Sequence, residues 1–205
     1  MVKITEYHCQ ESSSGHQRGH IPRHGGEVLN QMLHSLARKQ KQASVSLAPF
    51  SNKNNKKVLV KLIEELQDYL IQIDPLKRLR RLPQYGEMYI KTLLQKIKKQ
   101  DGIIYIAESE NTPVGMIAGI IEEQTEKDKL ECMPSKPARI LELIVSEKHR
   151  GHNIGSLLMT TLEGYFQKKG CDIIRVEVFE PNKTTHHFYQ KLNYQDRAVE
   201  MVKKI

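Results

Sequence analysis

Residues 149–158 read HRGHNIGSLL, an arginine, two histidines and two glycines ahead of an apolar run. The stretch follows Ile140 to Val145, which reads as a strand, and leads into a segment with helical apolar spacing. Strand, tight turn and helix in that order aim several main-chain N–H groups and the positive helix end at one point. The chemistry of such a turn is anion binding. Its small residues let a phosphate reach the main chain, and the planar fork of Arg150 suits phosphate oxygens. The stretch is neither a Walker A loop, which needs Gly-Lys followed by Ser or Thr, nor a dinucleotide-binding Gly-x-Gly-x-x-Gly. On these residues alone a plain structural turn competes with the anion site, because glycine is common wherever a strand feeds a helix.

A turn of this kind needs a sheet to hold it. ASVSLAPFS (43–51) reads as a first strand, ended by Pro49. Residues 58, 59, 62, 63, 66, 69, 70 and 73 are apolar at helical spacing, and Asp74-Pro75 stops that helix. LKRLRRLPQYG (76–86) is a basic loop or broken helix, followed by a second helix over 87–100. The period then shortens. Residues 103–123 read as a hairpin with a polar turn at Glu108 to Pro113. A charged loop (124–137) precedes a strand over 138–145, and the helix from Ile154 is closed by Gly170. A strand (171–179), a short helix (182–192) and a final strand (197–205) complete the reading. Strand–helix–strand over 140–178 implies a parallel pair joined by a right-handed crossover, and the hairpin is antiparallel. The fold class is therefore α/β with a mixed central sheet flanked by helices.

The chain of 205 residues is 39% hydrophobic and 27% charged, in the range of a globular protein with one core-bearing domain and an appendage. No apolar run reaches the length of a membrane helix, and the N-terminus lacks the apolar stretch of a secretory signal. Cys9, Cys132 and Cys171 are odd in number and lie outside any CxxC pattern, which argues against a disulfide framework or zinc site and for the cytoplasm. Of the net charge of +8, residues 1–57 contribute +6, from nine Lys/Arg against three Asp/Glu. The excess thus sits in an arm outside the folded part, which argues against nucleic acid as the main partner. Residues 1–43 are read as a flexible, basic, His-rich extension, and 44–205 as the folded domain. His8, His16, His20 and His24 have no metal-ligand spacing, so no metal is expected. Val28, Leu29, Met32, Leu33, Leu36 and Ala37 share one helical face, which must pack on this domain, on a second copy in a homodimer, or on an upstream neighbour.

IVSEKHRGHNIGSLLM resembles the acetyl-CoA-binding motif of the GNAT acyltransferase superfamily, Arg/Gln-x-x-Gly-x-Gly/Ala after a strand ending in valine. Arg150, Asn153 and Gly155 stand at its marked positions. About thirty residues on, NKTTHHFYQKLNY resembles the second signature of that superfamily, with Asn182, Phe188, Tyr189, Lys191 and Tyr194 in register. The resemblance covers residues 44–205. Asn153 and Asn193 replace two motif glycines; asparagine is the non-glycine residue that best tolerates positive φ, so the backbone shape can survive. Thr185 replaces a small alanine.

The resemblance implies an N-acetyltransferase that moves an acetyl group from acetyl-CoA to the amine of a small molecule or protein by direct attack. It implies that the N–H groups of His152, Asn153, Ile154, Gly155 and Ser156 cradle the pyrophosphate, with Arg150 and Gly151 alongside. Leu143, Ile144 and Val145 would run beside the pantetheine arm, where a main-chain N–H would polarise the thioester carbonyl. Asn182 would cap the short helix or bond the pantetheine amides. Tyr189 stands where the family places the general acid for the leaving thiolate, or else packs on the sheet. For the base, strand alternation sets Glu142 with Ile144 and opposite Leu141, Leu143 and Val145; Glu122, Glu123 and a water chain are the other candidates. A nucleic-acid-binding role for the basic arm and a non-catalytic acyl-CoA-binding domain are the competing functions.

Overall fold

A computed structural model describes residues 45–50 and 56–205. The basic extension, with the helix expected in it and the histidines at 8, 16, 20 and 24, lies outside the described residues. The elements run β1 (Val45–Pro49), α1 (Lys56–Ile73), α2 (Tyr85–Lys99), β2 (Ile103–Ser109), β3 (Thr112–Ile121), α3 (Glu126–Glu131), β4 (Pro137–Val145), α4 (Ile154–Lys168), β5 (Ile173–Val176) and α5 (Lys183–Lys191). The strands form one sheet in the order β1-β2-β3-β4-β5, antiparallel up to β4 and parallel between β4 and β5. This is the mixed sheet expected from the sequence. Among the described residues no helix is long and apolar enough to cross a membrane.

Strand alternation divides the core. Ile117 of β3 and Ala138 and Ile140 of β4 pack with Leu158, Leu162 and Phe166 of α4. Met116 and Ala118 face the other way and pack with Leu59, Leu62 and Ile63 of α1 and Ile90 and Leu93 of α2. Phe166 and Leu162 are completely buried, each contributing about 1.5–3 kcal/mol by burial. Gly119 lets that helix sit close, since a Cβ there would stand 2.6 Å from the Phe166 ring. The hairpin between β2 and β3 turns on Glu110 and Asn111, both at positive φ, which matches the right-handed twist of the strands.

Four local readings need correction. Residues 197–205 form no strand: Val199, Met201 and Ile205 are exposed, and alternation makes a strand only where another strand supplies a ladder. β5 pairs only over Ile173–Val176, shorter than 171–179. The charged loop contains α3, started by a capping box in which Thr125 and Asp128 bond each other's main chain. β4, finally, does not alternate evenly. Ala118 pairs with Glu142 but Gly119 with Ile140, so Leu141 is an extra, bulged residue. The bulge turns Leu141 to the same side as Ile144, whereas simple alternation sets it with Leu143 and Val145.

Candidate active site

The turn after β4 is built largely from main chain. A single 3₁₀ turn (Glu147–His149) follows the strand, held to α1 where the N–H of Glu147 donates to Glu65 at 2.9 Å. Gly151 at φ 78° and Asn153 at φ 61° then redirect the chain into α4. The side chain of Asn153 does not cap the helix. Consequently the N–H groups of Gly151, His152, Asn153, Ile154, Gly155 and Ser156 have no acceptor among the described residues. Among the described residues nothing lies within 4 Å of where a Cβ on Gly151 would be. The side chain of Ile154 is buried in the core and anchors the helix, so only its main chain is available.

Arg150 is exposed, but its Nε donates to the carbonyl of Val145 at 3.0 Å and its guanidinium lies 5.4 Å from the centre of the Tyr69 ring. The Tyr69 hydroxyl in turn reaches Asn182 Oδ1 at 3.5 Å. Asn182 is buried and caps α5, accepting from the N–H of Thr185 at 3.3 Å. In the sequence Tyr69 is one residue of an apolar helix face. Its phenol was the available signal, but nothing in the spacing links it to residues eighty and more positions on.

Beside this turn the sheet opens. β4 and β5 stay paired only as far as Ile140 and Val176, so among the described residues the main chain of Leu141 to Val145 has no strand on that side. The side chains of Leu143 and Val145 pack toward α4 and that of Ile144 toward α1 and α2, which leaves their main chain as the usable surface.

Glu142 projects from this open stretch to α2, where it accepts a hydrogen bond from the Tyr89 hydroxyl. Burial pushes its carboxyl up to about 7, although the Tyr89 bond and the charge of Lys96 both pull it down. The alternative carboxylates are placed differently. Glu122 is tied to Arg139 at 2.7 Å and Arg175 at 4.0 Å, and Glu123 is exposed. Tyr189 is buried between Phe188 and Tyr194, with ring centres 5.4 and 5.5 Å away. Its hydroxyl has no hydrogen-bond partner among the described residues; burial raises its pKa, and so does the charge of Glu142. Tyr89 is the residue that sequence reasoning missed here. It sits four positions from Tyr85 on α2, a pairing that reads equally as core. Asn193, like Asn153, has positive φ, 65°.

A family model described as the acetyltransferase (GNAT) family matches residues 60–194. The chain belongs to this family. It is 29% identical over 126 residues to an uncharacterized N-acetyltransferase of Methanocaldococcus jannaschii, a match covering 59% of this chain and 52% of that protein. The chain spans about half the length of the curated relatives it matches. Among solved structures, a putative acetyl transferase from Pyrococcus furiosus superposes with a TM-score of 0.60 at 21% identity, over 79% of this chain and 100% of that one. AAC(6')-Iy, solved in complex with the bisubstrate analog CoA-S-monomethyl-acetylneamine, superposes with a TM-score of 0.56 at 15% identity, over 79% of this chain and 99% of that one. The fold is thus that of the GNAT acetyltransferases, with the turn of unpaired N–H groups and the open strand edge side by side.

Proposed function

We propose that this GNAT chain is an acetyl-CoA-dependent N-acetyltransferase that transfers the acetyl group directly to a primary amine while both substrates are bound. The observation that carries the reading is the row of N–H groups from Gly151 to Ser156, unpaired among the described residues, next to a β4 edge that no described strand covers. These groups suit coenzyme A. The row and the end of α4 offer donors to a pyrophosphate, Gly151 leaves it room, and the β4 edge offers main-chain partners to pantetheine amides. Acetyl-CoA supplies an already activated thioester, so no enzyme nucleophile is needed, and Cys132 and Cys171 have no part in the reaction. The proposal places the reaction in the cytoplasm, where both would keep the free thiols they carry here.

Glu142 takes a proton from the acceptor ammonium, which Tyr89 orients it to do. With a pKa of about 7 the carboxyl is half ionised at neutral pH, strong enough to accept that proton and ready to release it. A main-chain N–H between Leu143 and Val145 holds the carbonyl oxygen while the N–C bond forms and the C–S bond breaks. Tyr189, kept neutral by its burial, gives its phenolic proton to the departing thiolate and regains one from the nitrogen. The balance is one amide, one thiol and one proton released.

Calorimetry with acetyl-CoA at moderate salt tests the reading. Micromolar binding is expected for the wild type, and for Arg150→Ala binding at least tenfold weaker, about 1.4 kcal/mol. Absence of saturable binding by the wild type would remove the catalytic reading altogether.

A further inference from the structure

The cleft under α2 carries a charge pattern that acetyl transfer by itself does not require. Its volume is about 670 Å³, a size suited to a small organic molecule. Tyr85, Tyr89, Leu93 and Leu141 give it an apolar wall, and Leu82 and Met88 line it while exposing more than half of their surface. Five charged side chains share the lining: Arg80, Lys96, Arg139, Glu142 and Glu177. Arg139 is neutralised, donating to Glu122 at 2.7 Å and lying 3.6 Å from Glu177. Glu142 is held by Tyr89. Arg80 and Lys96, by contrast, have no carboxylate within ion-pair distance among the described residues.

The backbone that carries Arg80 is fixed on both sides. Asp74, buried at the end of α1, accepts the N–H groups of Leu76, Arg78 and Leu79 at 2.6–2.9 Å. The carbonyl of Arg80 accepts from Gln67 at 3.1 Å, and the next residue, Arg81, makes a two-pronged bond to Asp68. The neighbouring arginine is therefore spent on the fold, while Arg80 lines the cleft with no ion-pair partner among the described residues. A polyamine entering with one ammonium at Glu142 would set its other charges against Arg80 and Lys96. An anion in the same place would be matched twice.

We infer that the acceptor is a small primary amine carrying its own anionic group, a carboxylate or a phosphate, and an apolar portion. The amine goes to Glu142, the anion to Arg80 and Lys96, and the apolar part along Tyr85, Tyr89 and Leu82. The inference rests on the N-acetyltransferase reading and narrows it.

The test compares matched amines on the full chain with acetyl-CoA, following thiol release. Phenylalanine is set against phenethylamine, phosphoethanolamine against ethanolamine, and spermidine serves as the polycation. The expected result is kcat/KM at least tenfold higher for the anionic member of one pair, and the pair that responds separates carboxylate from phosphate. Arg80→Gln and Lys96→Gln should each shrink that preference at least threefold, and the double variant should abolish it. Acetyl-CoA binding by calorimetry on each variant checks that it is folded. The inference is overturned if neither anionic member is preferred, if spermidine is fastest, or if acetyl-CoA binds and no amine is acetylated. A wild type that does not bind acetyl-CoA overturns the transferase reading, and the inference falls with it.

Discussion

The two ends of the proposed site are made of different material. At the start of α4 the working groups are six consecutive main-chain N–H groups, and the side chains around them either pack the core, like Ile154, or keep the turn in shape, like Asn153. Under α2 the working groups are side chains drawn from separate elements: Arg80 from a loop, Tyr89 and Lys96 from α2, and Glu142 from β4. A main-chain site needs only a backbone path, so it tolerates any residue that can take that path. A side-chain site changes its chemistry with each substitution. The first end should therefore respond to substitution in affinity and stability, and the second in rate and pH dependence.

The largest expected effect is at the second end. Glu142→Gln should lower kcat by about 10²–10⁴-fold while leaving acetyl-CoA affinity within twofold. The wild-type rate should rise with pH and level off above about 7, where Glu142 is ionised, and the variant should lose that limb. The same carboxyl has a linked effect on stability. Its folded pKa lies above the ordinary carboxylate value of 4.5, so the folded state holds this proton longer than the unfolded chain. The wild type should lose stability relative to Glu142→Gln as pH rises from about 4.5 through 7, measured by denaturant titration at several pH values. Equal pH dependence in the two proteins would break the comparison.

Tyr189→Phe keeps the ring between Phe188 and Tyr194 and removes only the hydroxyl. A fall in kcat of about 10²-fold with unchanged stability would mark an acid. An unchanged kcat would make Tyr189 a packing residue. Tyr89→Phe is subtler. The hydrogen bond it donates holds Glu142 lower than burial alone would, so its loss should raise that carboxyl further and move the rising limb to higher pH. Rate lost at pH 7 should then be recovered in alkaline buffer. The smallest effect belongs to the main-chain end. Asn153→Ala puts a residue poorly suited to φ 61° in the turn and should cost about 1 kcal/mol of stability, whereas Asn153→Gly should stay within a few tenths, both read from urea unfolding.

Legibility followed the same division. The turn could be read because its residues are consecutive and its Asn and Gly types carry a backbone requirement, and positive φ at Asn153 and Asn193 is where that reading led. Glu142 could be singled out as a carboxylate next to the turn. Its partner Tyr89 stands 53 residues away and looks like any helix-face aromatic. Alternation set Leu141 on the wrong face because a bulge leaves no fixed mark in residue type. The strand read at 197–205 had the right alternation and no ladder beside it.

By itself the sequence determined what depends on neighbours along the chain: the order of helices and strands, the mixed sheet, and a turn rich in unpaired donors. Periodicity and local backbone preference act over a few residues, so they can be read without a fold. Only the tertiary structure decided which distant groups meet. Burial sets the proton affinity of Glu142, closure against α2 gives it Tyr89, and the parting of β4 from β5 frees the strand edge. Each of these depends on what packs where, and that is fixed through space, by elements that the chain brings together only on folding.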